Sequence, residues 1–199
     1  MLEKIDILLS EKKQKAIYSH LYSKYHEDCR ALHWSSRQSQ VKRFWVFSAI
    51  ISRQEASILD VGCGLGDFAS YLHNNHEVKF SYTGIDVVEE FILAAARRYP
   101  SSTFVHKSIL AWNAPQQFDY VFASGIFAFG TRAFFVKTLE KCFSLARKAF
   151  AFNLFVSENR NFFYDEKENI LKSCLALSPG KVTLRDDYLP RDYTVILEK

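Results

Sequence analysis

Apolar residues recur at helical intervals through Ile5, Leu8, Leu9, Ala16, Ile17 and Leu21, and this spacing predicts an amphipathic helix from Leu2 to about Lys24, its apolar stripe turned to the rest of the chain. His33, Trp34 and Ser35 interrupt the pattern. Ser36 then stands where a helix N-cap belongs, and Val41, Phe44, Trp45, Phe47 and Ile51 carry a second helix to Ile51. Beyond residue 54 the period changes. Short apolar runs at Ser57–Val61, Ser81–Asp86, Thr103–His106, Asp119–Ala123 and Ala149–Phe155 read as strands, and helical patterns over Asp67–Asn74, Val88–Tyr99, Arg132–Ala146 and Glu166–Leu177 alternate with most of them. Alternation of this kind implies parallel pairing through right-handed crossovers. At the end, Val182–Leu184 and Tyr193–Leu197 are separated by too few residues for a crossover helix, so they form an antiparallel hairpin.

The expected architecture is therefore one α/β domain over residues 1–199, with a helical cap (1–53) and a core (54–199) whose seven-stranded mixed sheet carries helices on both faces. The chain has 18 Phe and 48% hydrophobic residues, enough bulk for such an interior. Phe44, Trp45, Phe47, Phe134, Phe135, Phe143, Phe150 and Phe152 are spaced to face it.

Charge changes the picture only locally. Residues 1–53 hold ten Lys and Arg against five Asp and Glu, whereas the remainder is nearly balanced, so the net +4 belongs to the cap. With no run of cations longer than the pairs Lys12-Lys13 and Lys42-Arg43, a solvated helical face is favoured over a nucleic-acid surface. Cys29, Cys63, Cys142 and Cys174 form no CxxC pair and have no histidines at metal-ligand spacing, so a metal is not expected and reduced thiols in a cytoplasm are. No apolar run reaches the length of a membrane span.

The chemical signal lies in Ile58 to Phe68, a buried strand running into Gly62-Cys63-Gly64-Leu65-Gly66 and then a helix. Glycines there let a ligand approach the backbone, and the helix start offers free N–H groups. The spacing is G-x-G-x-G, with Asp67 where a dinucleotide fingerprint has its third glycine, which argues against NAD and FAD. Asp60 precedes the loop. Asp86 ends the next strand at the same sheet edge, where a carboxylate can accept both hydroxyls of a ribose or, alternatively, cap the helix that follows.

These residues resemble the class I S-adenosylmethionine-dependent methyltransferases, specifically a small bacterial-type branch. The resemblance runs from about Tyr25 to Lys199 through Trp34 to Phe44, Leu59 to Phe68, Tyr82 to Asp86, Ser124 to Phe127, Ala151 to Asn153 and Asp187 to Val195. It implies a Rossmann-like fold, with Gly62, Gly64 and Gly66 at the cofactor's methionine portion, Asp60 also among the cofactor-binding residues, Asp86 on the ribose, Val87 beside the adenine, and Ser108 and Ile109 at the adenine edge. Ser108 departs from the family, where an acid is common. Ser124 would line the sulfonium region; it lacks the G-x-S-x-G context of a nucleophile. Neither the Asn-Pro-Pro-aromatic tetrad nor a nucleophilic Cys of base methylases is found.

The resemblance implies transfer of a methyl group to an acceptor, expected to be a small molecule because neither a recognition domain nor a strong basic patch accompanies the site. Trp34, Arg43, Phe127 and Asn153 are the main acceptor-side candidates, with Tyr25, His26, His33, Phe129 and Arg191 behind them. Arg43 either meets a ligand carboxylate or makes a salt bridge on the helix surface. Methylation of RNA or protein, and a non-catalytic cofactor-binding module, are the alternatives. The sequence names no acceptor or catalytic base and sets no oligomeric state.

Overall fold

The computed structural model describes residues 2–34, 36–52, 54–76, 79–157, 159 and 161–199, with Leu2 described in its backbone only; Ser35 of the motif above lies outside these. Helix α1 spans Leu2–Tyr25, and a short 3-10 turn, Cys29–Leu32, follows it. Helix α2 (Arg37–Ser48) begins where Ser36 accepts a hydrogen bond from the Ser39 N–H at 3.1 Å, as a capping serine does. The core then runs β1 (Ala56–Val61), α3 (Asp67–Asn75), β2 (Phe80–Asp86), α4 (Glu89–Arg98), β3 (Thr103–His106), β4 (Phe118–Ala123), α5 (Arg132–Leu145), β5 (Ala146–Phe155), α6 (Lys167–Leu175), β6 (Lys181–Arg185) and β7 (Asp192–Glu198).

The seven strands form one sheet in the order β3-β2-β1-β4-β5-β7-β6, in which only β7 runs against its neighbours. The order reverses between β1 and β4, and a crevice opens at such a switch point beyond the carboxyl ends of the strands. Both faces of the sheet are covered. Leu59, Val61, Val121, Phe150 and Phe152 meet Phe135 and Leu139 of α5 and Ile170 of α6 on one side. Ile58, Tyr120, Phe122 and Ala151 meet Phe44 and Phe47 of α2 and Phe68 and Leu72 of α3 on the other. Each such Phe or Leu contributes roughly 1.5–3 kcal/mol by its burial, so the strand ends are held by the whole sandwich.

Three details differ from the sequence pattern. β5 starts at Ala146, directly from α5, because exposed Arg147 and Lys148 pair with Asp119 of β4 at 3.4 and 3.8 Å instead of marking a turn. Trp45 is 51% exposed and does not face the core. Most unlike the expectation, α1 leaves Ile5, Leu8 and Leu9 in solvent and buries Ser10 and Gln14. The helix is where the spacing puts it, but its inward face is mixed: Ser10 and Gln14 are buried and Glu11 borders a cleft, while Ile7, Tyr18, Tyr22 and Tyr25 pack on the buried apolar clusters.

Candidate active site

The cleft begins at the loop after β1. Gly62, Gly64 and Gly66 have φ of +71°, +51° and +75°, a left-handed region costly to other residues. Space is as strict as conformation: a Cβ on Gly62 would lie 2.2 Å from Ile126 Cγ2, and one on Gly64 2.5 Å from Leu32 Cδ2. Asp86, at the end of β2, fixes the loop, since its carboxylate accepts from the Gly64 N–H and the Val88 N–H, each at 2.9 Å. Burial raises the Asp86 pKa, and those two N–H donors oppose the rise. Asp86 thus ties down the turn before the following helix, whose N-cap, Val88, makes no side-chain cap bond, so Asp86 does not cap that helix, and it lines the cleft with lone pairs to spare.

Asp60 lies beneath the loop, buried, and accepts a hydrogen bond from the Tyr82 hydroxyl. Burial, reinforced by Asp86 and Asp67, pushes its pKa up to about 7 against the lowering effect of Tyr82. Asp67 is held by Gln40 Nε2 at 3.1 Å and Arg98 Nη2 at 3.0 Å. Val87 and Ile109 supply apolar wall. Ser124 also lines the cleft, with its hydroxyl buried and lacking a hydrogen-bond partner.

Ser108 is not itself part of the wall. Its hydroxyl is hydrogen-bonded to the Glu11 carboxylate of α1, and Glu11 lines the cleft. Gln14 and Tyr18 of α1 do too. Burial and nearby Asp86 drive the Tyr18 hydroxyl pKa upward. The core motifs gave no sign of these three; their spacing along α1, three and then four residues, was the available signal.

A second cavity adjoins the first, and Tyr18, Leu32, Trp34 and Gly125 line both. The two enclose about 930 and 1310 Å³ of space open to solvent. Four expected acceptor-side residues meet in the second: Trp34, Arg43, Phe127 and Asn153, together with Tyr25 and His33. His26, Phe129 and Arg191 do not line it. Phe129 instead backs the wall, its ring 5.2 Å from that of Phe162.

Arg43 corrects the surface-salt-bridge reading. It is buried, stacked 4.5 Å above the Trp34 ring, and ion-paired through Nε and Nη2 with buried Asp192 on β7. Asp192 also accepts from Asn153 Nδ2 at 3.3 Å and the Tyr188 hydroxyl at 3.0 Å, so its acceptor capacity is heavily used. Arg43 Nη1 has no hydrogen-bond partner. Asn153 Oδ1 in turn accepts from the Gly125 N–H at 3.0 Å, tying the second cavity to the loop after β4. Among the described residues no group of His, Cys, Asp and Glu could hold a metal ion.

Residues 58–149 match a family model described as a methyltransferase domain. A candidate methyltransferase of Mycobacterium tuberculosis, Rv1506c, is 30% identical over 156 residues, which is 72% of this chain and 93% of that protein. The chain belongs to the S-adenosylmethionine-dependent methyltransferases. The methyltransferase also resembles solved structures along nearly its whole length. Against the magnesium protoporphyrin IX methyltransferase of Synechocystis PCC 6803 with bound S-adenosylmethionine, the TM-score is 0.71 at 11% identity, covering 98% of this chain and 97% of that one. Against the Burkholderia thailandensis 1,6-didemethyltoxoflavin-N1-methyltransferase with bound 1,6-didemethyltoxoflavin and S-adenosylhomocysteine it is 0.68 at 18% identity, covering 95% and 90%. At such identities the likeness establishes the shared fold.

Proposed function

We propose that the two cavities are the cofactor and acceptor halves of one methyl-transfer site, and that cap and core act as a single cytoplasmic domain on a small, flat acceptor molecule. The observation that carries this reading is their shared wall: Tyr18, Leu32, Trp34 and Gly125 border both, so a ligand in one meets a ligand in the other. The first cavity fits an adenosyl sulfonium compound by its glycine cradle, its carboxylates and the partnerless Gln14 and Ser124 side chains. Gly62, Gly64 and Gly66 would admit the methionine portion against backbone, with Asp60 nearby. Asp86 would accept the ribose hydroxyls, Val87 and Ile109 would sandwich the base, and Ser124 would stand by the sulfonium.

When bound, S-adenosylmethionine supplies a methyl already activated on a sulfonium and departs as S-adenosylhomocysteine. The chain's task is then alignment and exclusion of water, and proximity alone contributes on the order of 7–11 kcal/mol in favourable systems. Trp34, Phe127, Phe162 and Phe163 provide aromatic surface for a planar acceptor, and Arg43 Nη1 offers it an unused donor. A nucleic-acid acceptor is disfavoured, because two of the cap's arginines are engaged by protein carboxylates, Arg30 by Asp28 and Arg43 by Asp192.

The test is calorimetric titration of S-adenosylhomocysteine into the parent and Asp86→Ala. Loss of charge-assisted hydrogen bonds, about 1–3 kcal/mol, predicts affinity weakened roughly 5- to 150-fold. Equal affinities would remove the ribose assignment. Isotopic methyl transfer into a metabolite extract, with mass analysis of the labelled product, then identifies the acceptor; label in polymer alone would overturn the small-molecule reading.

A further inference from the structure

Helix α1 brings polar side chains to the cleft: Ser10 and Gln14 are buried while Ile5, Leu8 and Leu9 are exposed, and Ile7, Tyr18 and Tyr22 of the same helix anchor it on the apolar clusters. Glu11, Gln14 and Tyr18 share one face and all line the first cavity. Gln14 Nε2 is buried there without a partner, although native interiors rarely leave an amide donor unused. Glu11 is bridged to Ser108, 97 residues away, and the Ser108 hydroxyl accepts the Leu110 N–H at 3.1 Å, so its proton goes to the carboxylate and fixes it in place.

The order of strands says which part of a nucleoside this acid meets. Along the carboxyl edge, the glycine loop follows β1, Asp86 ends β2 beside it, and Ser108 follows β3 on the far side. With the ribose on Asp86 and the amino-acid tail on the glycine loop, the base extends toward β3, where Glu11 waits.

We propose that α1 reads the base of the cofactor: Glu11 accepts a hydrogen bond from the exocyclic amino group of adenine, held for that purpose by Ser108, and Gln14 donates to an acceptor atom of the same nucleoside. The acid that Ser108 does not supply comes from the cap instead. This inference rests on the reading of the first cavity as the adenosyl site.

Two compounds separate the possibilities, S-adenosylhomocysteine and S-inosylhomocysteine, the latter carrying a carbonyl oxygen in place of the amino group. Calorimetry on the parent should show the adenosyl compound bound about 30-fold more tightly or better, because a carboxylate facing a carbonyl leaves two acceptors opposed. Glu11→Gln, whose amide can donate, should cut that preference to about 5-fold or less. Gln14→Leu should weaken both compounds by a similar factor, about 5-fold, and leave their ratio unchanged. An undiminished preference in Glu11→Gln, or none in the parent, overturns the role of α1. A parent that binds neither compound overturns instead the cofactor reading on which it rests.

Discussion

The two halves of the cleft are made of different material. The proposed nucleoside half is backbone and carboxylate: three glycines at positive φ, and an Asp86 held by two main-chain N–H groups at the end of a central strand. The proposed acceptor half is walled by side chains, from Trp34 before α2 to Phe162 and Phe163 after β5, with Arg43 and Asp192 as its buried polar joint. A wall built from main chain accepts few changes, because each alters the path of the strand that feeds it. A wall built from side chains can be re-cut while the sheet stays intact, which is how one fold comes to serve many acceptors. Substitutions in the two halves should therefore differ in what they damage.

The largest effect is expected from Gly62→Ala. The methyl would collide with Ile126 Cγ2, and φ of +71° penalises any L side chain by roughly 1–2 kcal/mol before the collision is counted. A total loss of about 2–4 kcal/mol should lower the melting temperature by roughly 5–15 °C for a chain of this size. S-adenosylhomocysteine binding should fall at least about 100-fold with it, since strand end and ligand cradle are one piece of chain. A variant that melts with the parent and binds like it would erase the distinction between the halves.

A second effect, confined to stability and with a definite sign, comes from Asp60. Folded, it keeps its proton up to about pH 7; unfolded, it ionises near pH 4. The folded chain thus binds more protons across that window, and stability falls as pH rises from about 4 to 7, by up to about 4 kcal/mol. Asp60→Asn removes this slope while leaving an oxygen for the Tyr82 hydroxyl. Urea midpoints should match at pH 4.5, and the variant should be the more stable at pH 8. Parallel pH profiles would show that Asp60 is not the group responsible.

How far the sequence carried these conclusions depends on the distance over which each feature is encoded. The central strands were legible because both faces of a parallel sheet are buried, so Tyr120 to Ala123 reads as an unbroken apolar run and Ile58 to Val61 as one interrupted only by Asp60. The nucleoside half was legible too, its glycines and Asp86 lying within 25 residues of one another beside a strand-helix boundary. Helix α1 was visible, but not the side it presents, because its inward face mixes Glu11 and Gln14 with Ile7, Tyr18 and Tyr22, a combination that hydrophobic periodicity does not record. Hidden altogether were pairings across the chain: Arg43 with Asp192, 149 residues on, and Ser108 with Glu11. No local pattern announces such partners, and they join distant parts of the chain around the two cavities.

The gentlest change sharpens the contrast most. Phe162 is partly exposed and backs the second cavity, its ring 5.8 Å from that of His33 and 5.2 Å from that of Phe129. Phe162→Ala removes wall without opening the core, so melting should move by only about 2 °C. With the protein saturated in S-adenosylhomocysteine, affinity for a flat aromatic acid such as 2-naphthoate should drop roughly 3- to 10-fold, the value of about one lost aromatic contact. Affinity for S-adenosylhomocysteine itself should hold within about 2-fold, because none of its proposed contacts lies on the segment after β5. If both affinities fell together, the aromatic wall would be supporting the glycine cradle, and the cleft would have to be treated as a single cooperative unit.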